Sequence, residues 1–420
     1  MTDRRSTTFD RRAFLGGVAA MAATGRAIAR ADEALPPVRA ITRGPKHHWF
    51  GYYDKLEFDP TCRYVLGMEV DFEHRSPRPE DAIRVGMVDL RDGDRWIDLG
   101  ASTAWNWQQG CMLQWLPGSK TEVIWNDRAD GQYVSHVLDV ATRSRRTIPA
   151  PIYAVSPDAR WAIAPDFRRL NDTRPGYGYA GIADPAPNVA APDDAGITRI
   201  DLETGRSDLM LSFRQIAALP YLDGGPKEAK HWFNHLLVAP GGRRFCFLHR
   251  WRTPADGTKF RTRLITADAD GSNLHVLDPY GNTSHFIWRD QDHLLAWATH
   301  PSRGTKFYLY TDRTDRVEVV APDVMAENGH CTYLPGNRFI LNDTYPDKQR
   351  NQHPYLYDTR TGMRHPLGHF QSPAIYTGEW RCDTHPRSSP DGRSVVIDSP
   401  HGGQGRQLYL IDVGGIVDRA

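Results

Sequence analysis

NHLLVAPGGRRF at 234–245, SHFIWRDQDHLL at 284–295, GHCTYLPGNRFI at 329–340 and THPRSSPDGRSV at 384–395 are one motif read four times. Each copy runs from a histidine through a short β-type stretch to a turn, and His235, His285, His330 and His385 all stand five residues before the turn proline or its substitute Asp290. Three more copies of the turn lie upstream, in FDPTCRYVL (Pro60), WLPGSKTEV (Pro117) and VSPDARWAI (Pro157). A second signature alternates with it: a β-type run ending in Asp at Asp89, Asp139, Asp201, Asp268, Asp312, Asp358 and Asp412, at intervals of 44 to 67 residues. A unit of that length holds four short strands, and units that cannot bury their own faces must stack on their neighbours. Alternating apolar residues, Gly/Pro turns and little helical periodicity make the chain all-β. The reading is a seven-bladed β-propeller, with six or eight blades as the alternatives and the terminal LYLIDV strand closing the ring against residues near the N-terminus. One helix is expected, near Phe213–Leu219.

In such a ring, residues in equal register converge at one end of the axis, so four imidazoles distant in sequence can meet. Imidazole is the commonest ligand for Zn, Mn, Fe or Ni, and His285, His330 and His385, on consecutive blades, are the expected metal set. The competing reading is structural: a histidine before an inner strand can instead tie one blade to the next. Cys331 alternates away from His330 along the strand and is assigned to the core.

Composition narrows the function classes. The 420 residues are 40% hydrophobic and 25% charged, as in a globular protein with a large core, and no segment past the N-terminus has the length and apolarity of a membrane span. Net charge is +1 with both signs interspersed, so no nucleic-acid or anionic-membrane footprint is present. Residues 1–31 carry paired Arg11-Arg12, then Phe14-Leu15, an alanine-rich stretch and Ala29-Arg30-Ala31. This is the pattern of a twin-arginine export signal, which would place residues 32–420, a single propeller domain, in the periplasm or outside the cell by way of the twin-arginine export machinery. Five cysteines, an odd number without close pairing, describe no disulfide framework. A monomer is the expected state.

Four further clusters are candidates for the site. KHHWFGYYDK at 46–55 offers His48 and Tyr53, while its Trp49 and Phe50 read as core. WNWQQG at 105–110 offers Asn106, Gln108 and Gln109, whose amides suit sugar hydroxyls or cap a turn. The wide interval between Pro157 and Pro240 holds a loop insertion around 168–195 in which RPGYGYAG supplies Arg174, Tyr177 and Tyr179. HRWR at 249–252 adds Arg250, and guanidinium groups match planar carboxylates bidentately.

The HHWFGYY stretch, the histidine-headed turns and the export signal together resemble propeller-type polysaccharide lyases, the oligogalacturonate and ulvan lyases in particular, over most of residues 45–412; the turn-plus-Asp repeat alone is shared with TolB-like propellers. The resemblance implies β-elimination at a uronic acid in an acidic polysaccharide or oligosaccharide. The proton removed lies next to a carboxylate, so that carboxylate must be neutralised by a cation and a base must stand beside it. By this resemblance Arg174 or Arg250 neutralises, His235 or His48 is the base, Tyr177 is the acid, and Tyr53, Asn106, Gln108 and Tyr179 contact substrate. His285, His330 and His385 would hold a divalent ion, Mn, Zn or Ca. A non-catalytic TolB-like ring binding a glycan or a protein partner is the second reading. A two-carboxylate glycosidase ranks lower, because no inward carboxylate recurs in register. No G-x-S-x-G elbow of a serine peptidase is present.

Overall fold

The structure is a computed structural model and describes residues 35–419 apart from residue 227. The N-terminal segment read above as an export signal lies outside the described residues. Seven four-stranded antiparallel sheets follow one another along the chain, and a separate two-stranded ribbon pairs Asn351–Gln352 with Phe370–Gln371. Blade 1 runs from His47 to Ser102, blade 2 from Gln114 to Ile148, blade 3 from Ala154 to Ser212 and blade 4 from Lys230 to Asp278. Blade 5 runs from Phe286 to Val319, blade 6 from Thr332 to Pro366, and blade 7 from Arg387 to Asp412. The seven-bladed expectation is met. Blade 7 takes its outermost strand from Val38–Ala40, which pairs antiparallel with Gln407–Asp412 (Val38 opposite Ile411, Ala40 opposite Tyr409). That is the ring closure expected of the LYLIDV strand.

The recurring Asp has a local cause. In blades 1, 2, 3 and 6 it ends the third strand and turns its carboxylate onto amides of the turn that follows: Asp139 accepts from Ala141 N and Thr142 N, Asp201 from Glu203 N and Thr204 N. Where an arginine opens the second strand the same carboxylate also accepts its guanidinium, as in Arg63–Asp89 and Arg338–Asp358. The strand signal in the sequence is therefore a turn cap.

Helix is sparse. Phe213–Ala217 forms as expected, capped by Ser212, whose hydroxyl accepts from Gln215 N. The insertion is not all loop: Asp166 caps a second helix, Phe167–Thr173, by accepting from Arg168 N and Arg169 N. Arg169 then nails the rest of the insertion in place. Its buried guanidinium donates to Asp184 Oδ2 at 3.0 Å, to the carbonyls of Ala186, Val189 and Ala190, and to His231 O in the innermost strand of blade 4.

Blade 1 departs from the others in a way that builds the site. Its innermost strand ends at Trp49, and the chain crosses the centre of the ring before rejoining the blade at Phe58. Tyr52 consequently stacks on His235 of blade 4 and meets His385, which leads into blade 7. Tyr53 meets His285 and bonds the Phe286 backbone of blade 5. Gly51, at φ +107°, permits the crossing, because a Cβ there would lie 2.8 Å from the Gln109 carbonyl carbon. The crossing is anchored by Asp398, which accepts from Phe50 N and Gly51 N and is paired with the buried Arg387 at 2.8 Å.

Candidate active site

Equal register does bring the histidines together. The ring centroids of His285 and His330 are 4.2 Å apart and those of His330 and His385 are also 4.2 Å apart. Asp343, just past the second strand of blade 6, takes His330 Nδ1 at 3.0 Å on both carboxylate oxygens and the His330 amide at 2.7 Å. A carboxylate on one ring nitrogen fixes the tautomer and frees the other for ligation. His330 Nε2 is buried and without a hydrogen-bond partner, and so is His385 Nε2, which stands 4.0 Å from Asp383 Oδ2. His330, His385 and Asp383 offer ligand atoms that all lie within 4.8 Å of one another. His285 completes the row, with Nδ1 held by Asn328 Oδ1 at 3.0 Å. Burial first, then neighbouring imidazoles and guanidinium groups, hold His285 and His385 well below the ordinary histidine range, so both are neutral. Buried imidazole nitrogens without a hydrogen-bond partner beside a carboxylate fit a divalent cation. Asp383 was not anticipated, although its signal was present: it stands two residues before His385, and the left-handed backbone of His385 lets both side chains reach one spot.

His235 does not join this row. A bulge between Asn234 and Leu237 breaks the blade 4 pairing, and both His235 (φ 52°) and His385 (φ 39°) adopt left-handed backbone, which non-glycine residues seldom do. The bulge aims the His235 ring at a second cluster. Tyr52 lies parallel to it at 4.8 Å with its hydroxyl 3.1 Å from Nε2, while Gln109 Nε2 and the Tyr153 hydroxyl stand 3.2 and 3.3 Å from Nδ1. Tyr177 packs edge-on at 5.5 Å.

Tyr177 is bracketed by cations. Its hydroxyl accepts from Arg381 at 2.6 Å, and the Arg174 guanidinium sits 4.2 Å from its ring centre. Burial opposes ionisation of this phenol, but Arg381 and Arg174 outweigh it and set Tyr177 below the usual tyrosine range. Arg174 and Arg250 both lie 4.9 Å from the centre of the Phe260 ring, and each keeps a buried, unpartnered terminal nitrogen. Those spare donors suit an anionic ligand.

The remaining candidates are placed otherwise. His48 is spent between Gln407 Oε1 at 2.9 Å and Glu69 Oε2 at 3.2 Å, edge-on to Trp96, because strand alternation turns it out of the ring's centre. The Tyr53 hydroxyl is tied to the Phe286 carbonyl and amide. Asn106 caps its own loop, accepting from Gln108 N and Gln109 N. Gln108 donates to the carbonyls of Glu379 and Arg381 and so holds the segment that presents Arg381. Tyr179 is core, stacked on Phe167 at 4.2 Å with its hydroxyl on Asn126. Of the amides in that loop it is Gln109 that reaches the imidazole. Sequence reasoning missed Arg381, Tyr52 and Tyr153 as site residues, and none of the three stands at a position that recurs from blade to blade. Cys331 is fully buried and all five cysteines are unbridged.

No family model and no curated protein matches this sequence. Solved structures do match the fold. An oligogalacturonate lyase in complex with manganese superposes at a TM-score of 0.65 with 16% identity, over 90% of this chain and 93% of that one. An oligogalacturonate lyase from Vibrio parahaemolyticus gives 0.62 with 13% identity over 90% and 94%. The propeller is thus of the architecture these lyases use, and at such identities the likeness is one of fold. A TolB from Acinetobacter baumannii also matches, at 0.43 with 13% identity over 84% and 78%.

Proposed function

We propose that the protein is an exported lyase that cleaves a uronic-acid-containing glycan by β-elimination. The observation that carries this reading is the adjacency of two clusters: buried, unpartnered His330 and His385 Nε2 atoms beside Asp383, and a His235–Tyr177 pair flanked by Arg174 and Arg381. His285, His330, His385 and Asp383 would hold a divalent cation, which when bound supplies positive charge next to the substrate carboxylate. Arg174 and Arg250 orient that carboxylate through their spare N–H groups and help neutralise it, making the neighbouring C–H more acidic. Tyr177 and His235 handle the proton on that carbon and the charge on the departing glycosidic oxygen. Export rests on the twin-arginine pattern at the N-terminus. The two oligogalacturonate lyase neighbours, one of them in complex with manganese, support the reading through the fold they share with this chain.

The test is absorbance. Purified protein incubated with a panel of polyuronates and oligogalacturonate, with added Mn, Zn or Ca, should generate the ultraviolet band of a new unsaturated uronate. A flat trace on every substrate and metal would replace this reading with a non-catalytic propeller that binds a glycan or a protein.

A further inference from the structure

The contacts of His235 define more than its place. Gln109 Nε2 donates to the Tyr153 hydroxyl at 2.7 Å and stands 3.2 Å from His235 Nδ1; that hydroxyl, its oxygen already accepting, has Nδ1 as its own acceptor at 3.3 Å. Gln109 Nε2 and the Tyr153 hydroxyl can both donate to that one ring nitrogen, and the two contacts are satisfied together when it carries the lone pair. The ring proton is left on Nε2, the nitrogen on the side of Tyr52. All three side chains are buried, and the charged or titratable groups around the ring come from every side: Tyr52 and Lys55 from the crossing segment, Tyr153 from the start of blade 3, Tyr177 and Arg174 from the insertion, His330 from the lead into blade 6, and Arg381 from the segment before blade 7. Lys55 reinforces the same arrangement, its ammonium lying 4.6 Å from the centre of the Tyr153 ring, with Asp54 2.9 Å away as its counter-ion.

We propose that Gln109 and Tyr153 are positioning residues that fix His235 as its Nε2–H tautomer, so that this ring meets substrate as a hydrogen-bond donor and not as the base. The inference rests on the lyase reading for its chemical meaning, although the tautomer is a property of the protein alone. A neutral imidazole held as a donor is an electrophile, able to stabilise charge developing on an oxygen. Proton transfer then belongs to Tyr177. Its phenolate takes the proton from the carbon beside the carboxylate, the carbon–oxygen bond breaks with its electron pair going to the glycosidic oxygen, and the Tyr177 hydroxyl returns the proton to that oxygen. Tyr177 ends in the protonation state in which it began, and His235 stays neutral throughout.

The test reads the ring nitrogens directly. In the full chain labelled with ¹⁵N-histidine and free of paramagnetic ions, the His235 signals are identified by their loss in His235→Asn. Near pH 7, Nε2 should be of pyrrole type and Nδ1 of pyridine type. Gln109→Glu, which places an acceptor at Nδ1, should move the proton to Nδ1 and lower kcat on oligogalacturonate by about 10²-fold, the cost of removing one such donor, with KM unchanged. Tyr153→Phe, which keeps the ring and removes only the hydroxyl, should leave a mixture of tautomers. A pyrrole-type Nδ1 or a doubly protonated ring in the wild-type protein would overturn the proposal. A wild-type Nε2–H in a protein that cleaves no uronate would sustain the positioning assignment and remove the lyase reading, so the two failures are distinct.

Discussion

The ring contains two buried clusters of histidines, and only one has the makings of a site. His231 and His249 stack at 5.0 Å, much as His285, His330 and His385 pack at 4.2 Å. In the first cluster three of the four ring nitrogens are consumed internally: His231 Nδ1 meets His249 Nε2 at 2.9 Å, and His249 Nδ1 accepts from Arg263 Nε at 3.0 Å. Arg263 is itself spent on the carbonyls of Ile216, Leu219 and Pro220. In the second cluster, side chains from outside the row take one nitrogen of His285 and of His330, while the Nε2 atoms of His330 and His385 remain unpartnered beside Asp383. A buried polar atom without a hydrogen-bond partner is costly, and a pair of them on adjacent rings leaves room for a ligand to satisfy both. Clustering of imidazoles is not the criterion; the nitrogen left open is.

That contrast can be broken from either side. The largest effect is expected at the proton-handling group: Tyr177→Phe should lower kcat on a cleaved uronate by about 10²–10⁴-fold, whereas His249→Gln should leave kcat nearly unchanged. Steady-state kinetics on folded protein decides this, and equal losses would erase the distinction. Next is Arg169→Ala, which leaves buried Asp184 with only the longer Lys230 contact at 3.8 Å for an ion pair and releases the insertion that carries Arg174 and Tyr177. It should cost about 3–5 kcal/mol in urea unfolding. A loss below about 1 kcal/mol would mean that the insertion is held by something other than Arg169.

The closed cluster should reveal itself through pH. Burial, then Arg263 and Arg169, push His231 down to about 4, whereas an unfolded histidine titrates near 6.5. Between those values the unfolded chain binds a proton that the native chain does not, so stability falls as pH drops from about 6.5 to 4. The full loss is about 3 kcal/mol, and above pH 7 the term vanishes. Denaturant midpoints should show His231→Gln flattening the profile in this window, and an unchanged slope would contradict the assignment. Smaller still is Asp343→Asn, which leaves every proposed ligand in place but weakens the hold on His330 Nδ1. Metal affinity should fall about 10–100-fold by titration with a competing chelator, and no change would make Asp343 a bystander.

How much of this the sequence revealed depends on whether a residue repeats. The turn and Asp signatures arise from local turn chemistry that every blade must satisfy, so blade count, closure and the His285, His330 and His385 row were legible. Asp383 could have been read from its spacing to His385. The helix Phe167–Thr173 was also open to reading, since Asp166 stands as a cap before FRRL. Arg381 and Tyr52 were not, because each reaches the site from an irregular segment whose path is set by neighbouring blades, and neither was Tyr153, which stands just ahead of the innermost strand of blade 3; Gln109 was among the candidates, but its contact with His235 was not readable. His48 shows the opposite failure: it lies in a stretch rich in site-like residues, yet alternation within a three-residue strand turns it toward Glu69 and Gln407. Residue type announces chemistry, while the direction of a side chain off the repeat is a tertiary fact.

The most direct test of the open-nitrogen account is elemental analysis of native protein beside a His285→Ala/His330→Ala variant and a His231→Gln variant. The prediction is one tightly held divalent ion per chain in the native protein and in His231→Gln, and its loss from the double variant. Native protein that binds no ion, or a double variant that keeps the full equivalent, would contradict it.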